Sequence, residues 1–174
     1  PRAGQGAAAS LAGVTTDQTE EPVQPSEHPE RNVTAEVTPE AVAAIFEEEH
    51  LEYRIEEQVV RSGFVNAAIV VAIDGDHLIF EALWRGEFPV DTASQVLYAC
   101  NEHNQTHFAP TLRFFERGEE TLAVSAIRTL NIAHGASFNQ LGAFITSSID
   151  MTLQAFDYLA STFPALVTWE EPQP

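Results

Sequence analysis

The chain has 174 residues, of which 44% are hydrophobic and 20% are charged, values typical of a globular protein with a buried core. Acidic residues outnumber basic ones by 26 to 8, and the resulting net charge of -18 argues against unaided binding to nucleic acid or to anionic membranes. The sequence has a single cysteine, Cys100, which excludes an intrachain disulfide. Because it also has no apolar run of transmembrane length, we expect a cytoplasmic protein.

Composition divides the chain into a folded domain and two tails. Residues 1–37 are rich in Ala, Gly, Pro, Thr and Glu and contain no aromatic residue, which predicts a disordered acidic N-terminal tail. Residues 166–174 form a short C-terminal tail, so the folded domain is expected over 38–165. All 8 basic residues are arginines and alanine is abundant, as in actinobacterial proteins from G- and C-rich coding sequences.

The folded domain is predicted to begin with a helix and three strands. Thr38 followed by Pro39 is typical of a helix N-terminus, and apolar residues at helical spacing extend this helix to residue 49. Alternating and β-branched residues then predict strands, with a tight hairpin turn at Asp74-Gly75-Asp76. The three predicted strands are 51–60, 64–73 and 78–84.

A second helix, two strands and a long helix follow. Pro89 is expected to break the sheet before a helix over 92–107, and the next strands are 111–116 and 121–130. Ser137 then caps a helix that reaches about residue 163, because apolar residues recur at every third or fourth position. The element order α-β-β-β-α-β-β-α predicts an α+β fold, with an antiparallel sheet of about five strands and helices on one face.

The helix over 92–107 carries the residues with the most reactive side chains. Helical spacing places Cys100, His103 and His107 on one stripe, where a thiolate and two imidazoles could bind Zn²⁺ or Cu⁺. A metal-binding protein or metalloenzyme is therefore one hypothesis. No CxxC or HExxH motif accompanies the three residues, however, and this favours a buried thiol with surface imidazoles.

The neighbouring stripe of this helix holds two asparagines, Asn101 and Asn104, between Leu97 and Phe108. We expect both amides to face or border the core and to fasten the helix end to the following strand, because buried amides usually bond to main chain. Catalysis is not expected. The sequence has no G-x-S-x-G elbow and no phosphate-binding glycine loop, and a mid-helix thiol gains little activation. No cofactor is implied.

The motifs around this helix resemble the YbjN family of bacterial proteins over residues 38–165. The stretch L-Y-A-C-N-E-H-N-Q-T-H-F is followed by a strand pair and by a terminal helix containing F-I-T-S-S-I-D-M-T-L-Q-A-F. Members of the family share an N-x-x-N motif, usually with an aromatic residue between the asparagines. Here the motif is Asn101-Glu102-His103-Asn104 with Phe108 following, so His103 takes the place of the aromatic residue.

The resemblance implies a fold similar to that of type III secretion chaperones, which commonly form dimers and bind protein segments. It also implies a sensory-transduction regulator without enzymatic activity. Together with the acidic composition, it predicts a non-enzymatic regulatory or chaperone-like module that binds a protein partner and forms a homodimer. The remaining alternative is a small-ligand sensor that binds on the uncovered face of the sheet.

Overall fold

The computed structural model describes residues 29–169, so most of the predicted N-terminal tail and the end of the C-terminal tail lie outside the described residues. The described part contains three α-helices and seven strands, with short 3-10 turns before α1 and α2 and after α3. In chain order these elements are α1 Pro39–Glu48, β1 Arg54–Glu56, β2 Val59–Phe64, β3 Ala67–Asp74, β4 His77–Trp84, β5 Phe88–Pro89, α2 Ala93–Thr106, β6 Thr111–Glu116, β7 Thr121–Asn131 and α3 Phe138–Thr162.

The strands form one antiparallel sheet. Its order is β1-β2-β3-β4-β7, with β6 on the far side of β7. The short β5 continues the line of β4, since Leu83 pairs with Ser125 of β7 and Phe88 pairs with Leu122. The α+β class, the antiparallel pairing and the order of the helices within the chain are confirmed.

Two strand predictions need correction. The predicted strand over 51–60 is interrupted after β1 by a two-residue turn, in which Glu57 has a φ of 55°, and its last two residues begin β2, which continues to Phe64. A glutamate rarely adopts this left-handed conformation, so the sequence carries no turn signal here. Pro89 does not break the sheet but lies in β5, where it pairs with Thr121 at the end of β7. A proline at a strand end loses only one ladder hydrogen bond.

The helices begin where local sequence predicts and cover one face of the sheet. Thr38 Oγ1 accepts a hydrogen bond from the N–H of Ala41 at 3.2 Å, and Ser137 and Gln140 form a capping box at the start of α3. The 25 residues of α3 span about 38 Å and pack over β4 and β7, with α1 alongside. Even-numbered residues of β4 are buried under this layer. None of the helices in residues 29–169 is long and apolar enough to cross a membrane.

The ordered structure extends beyond the predicted domain at both ends. Residues 29–37 belong to the predicted tail, yet Arg31 bonds to Glu48 at 2.8 Å and lies 4.4 Å from the ring centroid of Phe138. Val37 is buried in the core. At the other end, the ring of Trp169 stands edge-on to Trp84 with 5.6 Å between centroids. These contacts stabilise segments whose own composition does not indicate structure.

Candidate functional site

Helix α2 packs against β6 and α3 through one face, and this face is not the one that holds the asparagines. Its buried residues are Val96, Ala99, Cys100 and His103. Leu97 is 46% exposed, Phe108 is fully exposed, and Asn101 is exposed as well. The prediction that this second stripe borders the core is wrong for Leu97, Asn101 and Phe108. The predicted link between the helix end and the following strand is present, and Asn104 alone makes it. Both stripes have helical spacing, and the positions of β6 and α3 decide which one is buried.

The amide of Asn104 joins the end of α2 to strand β6. Its Nδ2 donates to the carbonyl of Leu112 at 2.7 Å, and its Oδ1 accepts from the N–H of Leu112 at 2.8 Å. Both main-chain groups of Leu112 therefore point away from β7, and the amide takes the place of a peptide group in a neighbouring strand. Asn104 thus closes part of the free edge of β6, which would otherwise be open to other strands.

Asn101 has a different environment from Asn104. Its side chain is exposed and makes no hydrogen bond with any residue in the part of the chain that the structure describes. One turn of helix separates the two amides, so only the residue nearer the C-terminus of α2 reaches β6. The two asparagines of the N-x-x-N motif therefore have unequal contacts.

The thiol of Cys100 is buried among apolar side chains. It is 3% exposed, and burial raises its pKa to about 11. A thiol with this pKa is almost entirely protonated near neutral pH, and the protonated form is a poor nucleophile and a poor metal ligand. The environment of Cys100 is that of a small core residue.

His103 and His107 stack on each other, with 4.3 Å between ring centroids and 5° between planes. His103 is buried, contrary to the predicted surface imidazole, and its Nε2 lies 3.2 Å from the carbonyl of Pro110. Burial lowers the pKa of His103, and the nearby His107 lowers it further. Within residues 29–169, no three His, Cys, Asp or Glu side chains are placed to hold a metal ion. The structure therefore does not assemble the predicted Cys100, His103 and His107 site.

A groove of about 530 Å³ lies between α2 and the C-terminal half of α3. Tyr98, Tyr158 and Phe163 form its apolar walls, and Glu102 is its acidic residue. The hydroxyl of Tyr158 donates to Glu102 Oε2 at 2.7 Å, and burial, reinforced by this bond, raises the pKa of Tyr158 to about 12. Tyr98 is 70% exposed. These residues were not predicted from the sequence. The available signal for this surface was Tyr98, a large aromatic residue on the polar side of α2.

The fold and this surface define a small α+β domain whose antiparallel sheet carries helices on one face. The family model described as "YbjN: Putative bacterial sensory transduction regulator" matches residues 38–161, and the chain belongs to this family. The predicted family is confirmed, and its description is that of a regulator.

A solved structure agrees with this assignment. The crystal structure of YbjN from E. coli matches the chain with a TM-score of 0.65 and 8% sequence identity, and the match covers 80% of this chain and 100% of that one. At this identity the likeness shows a common fold and nothing about partners. No curated protein matches the sequence.

Proposed function

We propose that this protein is a non-enzymatic regulatory module of the cytoplasm that binds segments of other proteins in the groove between α2 and α3. The observation that carries the proposal is the groove itself. It has apolar walls and a volume of about 530 Å³, and Tyr98 in one wall stays largely exposed. Exposed tyrosines offer a large contact area at low entropic cost and are enriched in protein interfaces.

The charge of the molecule indicates the chemistry of the partner. Glu102 lies in the groove, and the chain carries a net charge of -18. A segment with an apolar anchor residue flanked by Lys or Arg would match both features. The anchor would pack between the two tyrosines, and the basic flanks would be attracted by the surrounding carboxylates.

Synthetic amphipathic peptides test this proposal directly. One set carries Leu and Phe anchors with Lys and Arg flanks, and a matched set carries the same anchors with Glu flanks. Fluorescence anisotropy should show binding of the basic set alone, weakening as salt is added. Tyr98→Glu should weaken binding by about tenfold or more, the loss expected for an interface anchor.

The control variant is Gln154→Glu, which makes the same charge change at an exposed position of α3 outside the groove. It should bind as the unmodified protein does. The proposal fails if neither peptide set binds, if both sets bind equally, or if the two variants weaken binding to the same extent.

We also propose a homodimer that forms through the exposed face of α2. Leu97 and Asn101 lie there, the fully exposed Phe108 follows two residues after the helix, and none of the three is charged. Two copies that each carry -18 can approach with less direct repulsion where such an uncharged face meets its equivalent. Sedimentation equilibrium should show a dimer that Leu97→Glu dissociates and Gln154→Glu does not. A monomer at all accessible concentrations would contradict the dimer.

A further inference from the structure

A second pocket opens at a corner of the sheet, on the face opposite to the helices. It has a volume of about 440 Å³ and is lined by residues that include Arg54, Arg61 and Arg85. Arg61 pairs with Val70 across β2 and β3, while the alternate residues Val60 and Val71 are buried in the core. This register places Arg61 on the uncovered face.

Basic residues are concentrated in this pocket. Three of the seven arginines in residues 29–169 line it, although acids outnumber bases by 26 to 8 in the whole chain. The Nε atoms of Arg54 and Arg61 both contact Glu56, at 2.9 and 2.5 Å. The bond from Arg61 holds the pKa of Glu56 below its ordinary value. The carboxylate of Glu56 thus pairs with two guanidinium groups. Both pair through Nε, so their outer nitrogens remain available to a ligand.

Arg85 is held in the pocket without a carboxylate. Its Nε donates to the carbonyl of Phe64 at 3.2 Å and its Nη2 to the carbonyl of Ala67 at 3.5 Å. It makes no ion pair with any described residue, so its charge is oriented by main chain and not neutralised. Glu52 also lines the pocket. With Glu52 and Glu56, the three arginines leave one positive charge in excess.

The position of Gly63 keeps the floor of the pocket open. A Cβ atom there would lie 2.8 Å from the carbonyl oxygen of Ala67 and 3.7 Å from Nη2 of Arg85. A side chain at this position would therefore clash with the main chain and would begin in van der Waals contact with the guanidinium. Tyr53 and Phe64 complete the lining. The side chain of Phe64 packs against the core, so Tyr53, which is 39% exposed, is the aromatic ring available to a ligand.

We infer that this pocket binds a small phosphorylated molecule with a planar aromatic ring, of the size of a mononucleotide. The outer guanidinium nitrogens bind the phosphate oxygens, because the arginine fork matches phosphate geometry. Tyr53 contacts the ring. The volume of about 440 Å³ lies in the usual range for small-molecule sites. Acidic groups farther than about 8 Å are largely screened at physiological salt, so the local excess decides the attraction.

This site is independent of the proposed peptide groove, since the two lie on opposite faces of the sheet. Isothermal titration calorimetry of the full chain with the four ribonucleoside monophosphates tests the site. At least one nucleotide should bind, and its nucleoside and ribose 5-phosphate should each bind about tenfold more weakly or not at all. The inference is overturned if no nucleotide binds, or if either fragment binds as tightly as the best nucleotide.

Variants assign the binding to these residues. Arg85→Gln and Arg61→Gln should each weaken nucleotide binding by about tenfold or more, the usual loss for a charge-assisted bond. Tyr53→Ala should weaken binding of the nucleotide and leave any measurable binding of ribose 5-phosphate unchanged. Arg113→Gln is the matched control, because Arg113 is exposed on the same sheet face, pairs with Glu81 and does not line the pocket.

Folding of each variant is checked by circular dichroism, since Arg85 also bonds to two carbonyls. Arg61 makes no such main-chain bond in the described residues, so Arg61→Gln tests the role of the pocket in nucleotide binding if Arg85→Gln does not fold. Equal weakening by Arg113→Gln and Arg61→Gln would show an effect of total charge and would overturn the inference.

Discussion

Replacement of Asn104 by alanine should destabilise the fold by an amount that the structure allows to be worked out. The change removes two hydrogen bonds, of 2.7 and 2.8 Å, and leaves the N–H and carbonyl of Leu112 without protein partners. Each bond contributes about 1 kcal/mol net, and water can partly replace the amide at this edge, so we expect a loss of about 2 kcal/mol. Urea titration should give this difference in unfolding free energy. For a domain of this size it corresponds to a fall in Tm of about 4 to 8 °C.

Two further variants separate the hydrogen bonds from the motif. Asn101→Ala should change the unfolding free energy by less than about 0.5 kcal/mol, because Asn101 is exposed and unbonded among the described residues. Asn104→Asp keeps an acceptor for the N–H of Leu112 but has no donor for its carbonyl, so it should also be destabilising. Equal effects of Asn101→Ala and Asn104→Ala, or no effect of either, would refute the proposed covering of the β6 edge.

Two other predictions concern the buried groups of α2. Burial lowers the pKa of His103 from its ordinary value of 6.5, so below about pH 6.5 the unfolded chain binds a proton that the folded chain does not. Stability should therefore fall on acidification, and urea titrations between about pH 7.5 and 5.5 measure this loss of unfolding free energy. The loss should be smaller in His103→Gln and unchanged in the control His134→Gln, because His134 is exposed. Cys100, with a pKa of about 11 and 3% exposure, should react with a thiol reagent only as fast as the domain unfolds. Reaction of Cys100 at the rate of a free thiol would contradict its burial. A loss of unfolding free energy at low pH that is as large in His103→Gln as in the unmodified protein would contradict the role of His103.

Sequence patterns predicted the elements whose determinants are local. The cap at Thr38 and the capping box of Ser137 and Gln140 depend on residues within one turn of helix. The hairpin around Gly75 depends on a glycine that readily adopts a positive φ. The turn at Glu57 escaped prediction because a glutamate carries no signal for the left-handed conformation that the pairing of β1 with β2 imposes.

The functional surfaces were harder to predict than the elements, for a related reason. Two stripes of α2 have the same helical spacing, and the sequence assigned the buried role to the one with Asn101 and Phe108. Packing on β6 and α3 buried the other stripe and left Phe108 fully exposed. The groove wall of Tyr98 and Tyr158 brings together residues of two helices separated by two strands. No local pattern records such a contact.

The sequence alone thus determined the α+β class, the order of the helices, the antiparallel pairing and the family, since apolar spacing and cap chemistry are properties of neighbouring residues. Only the tertiary structure decided that Asn104 bonds to Leu112 while Asn101 faces solvent. It alone placed Arg85, directly after β4, in the same pocket as Arg61 of β2. These outcomes depend on how the sheet and helices pack, and packing joins residues whose separation along the chain is many times the period of a helix or a strand.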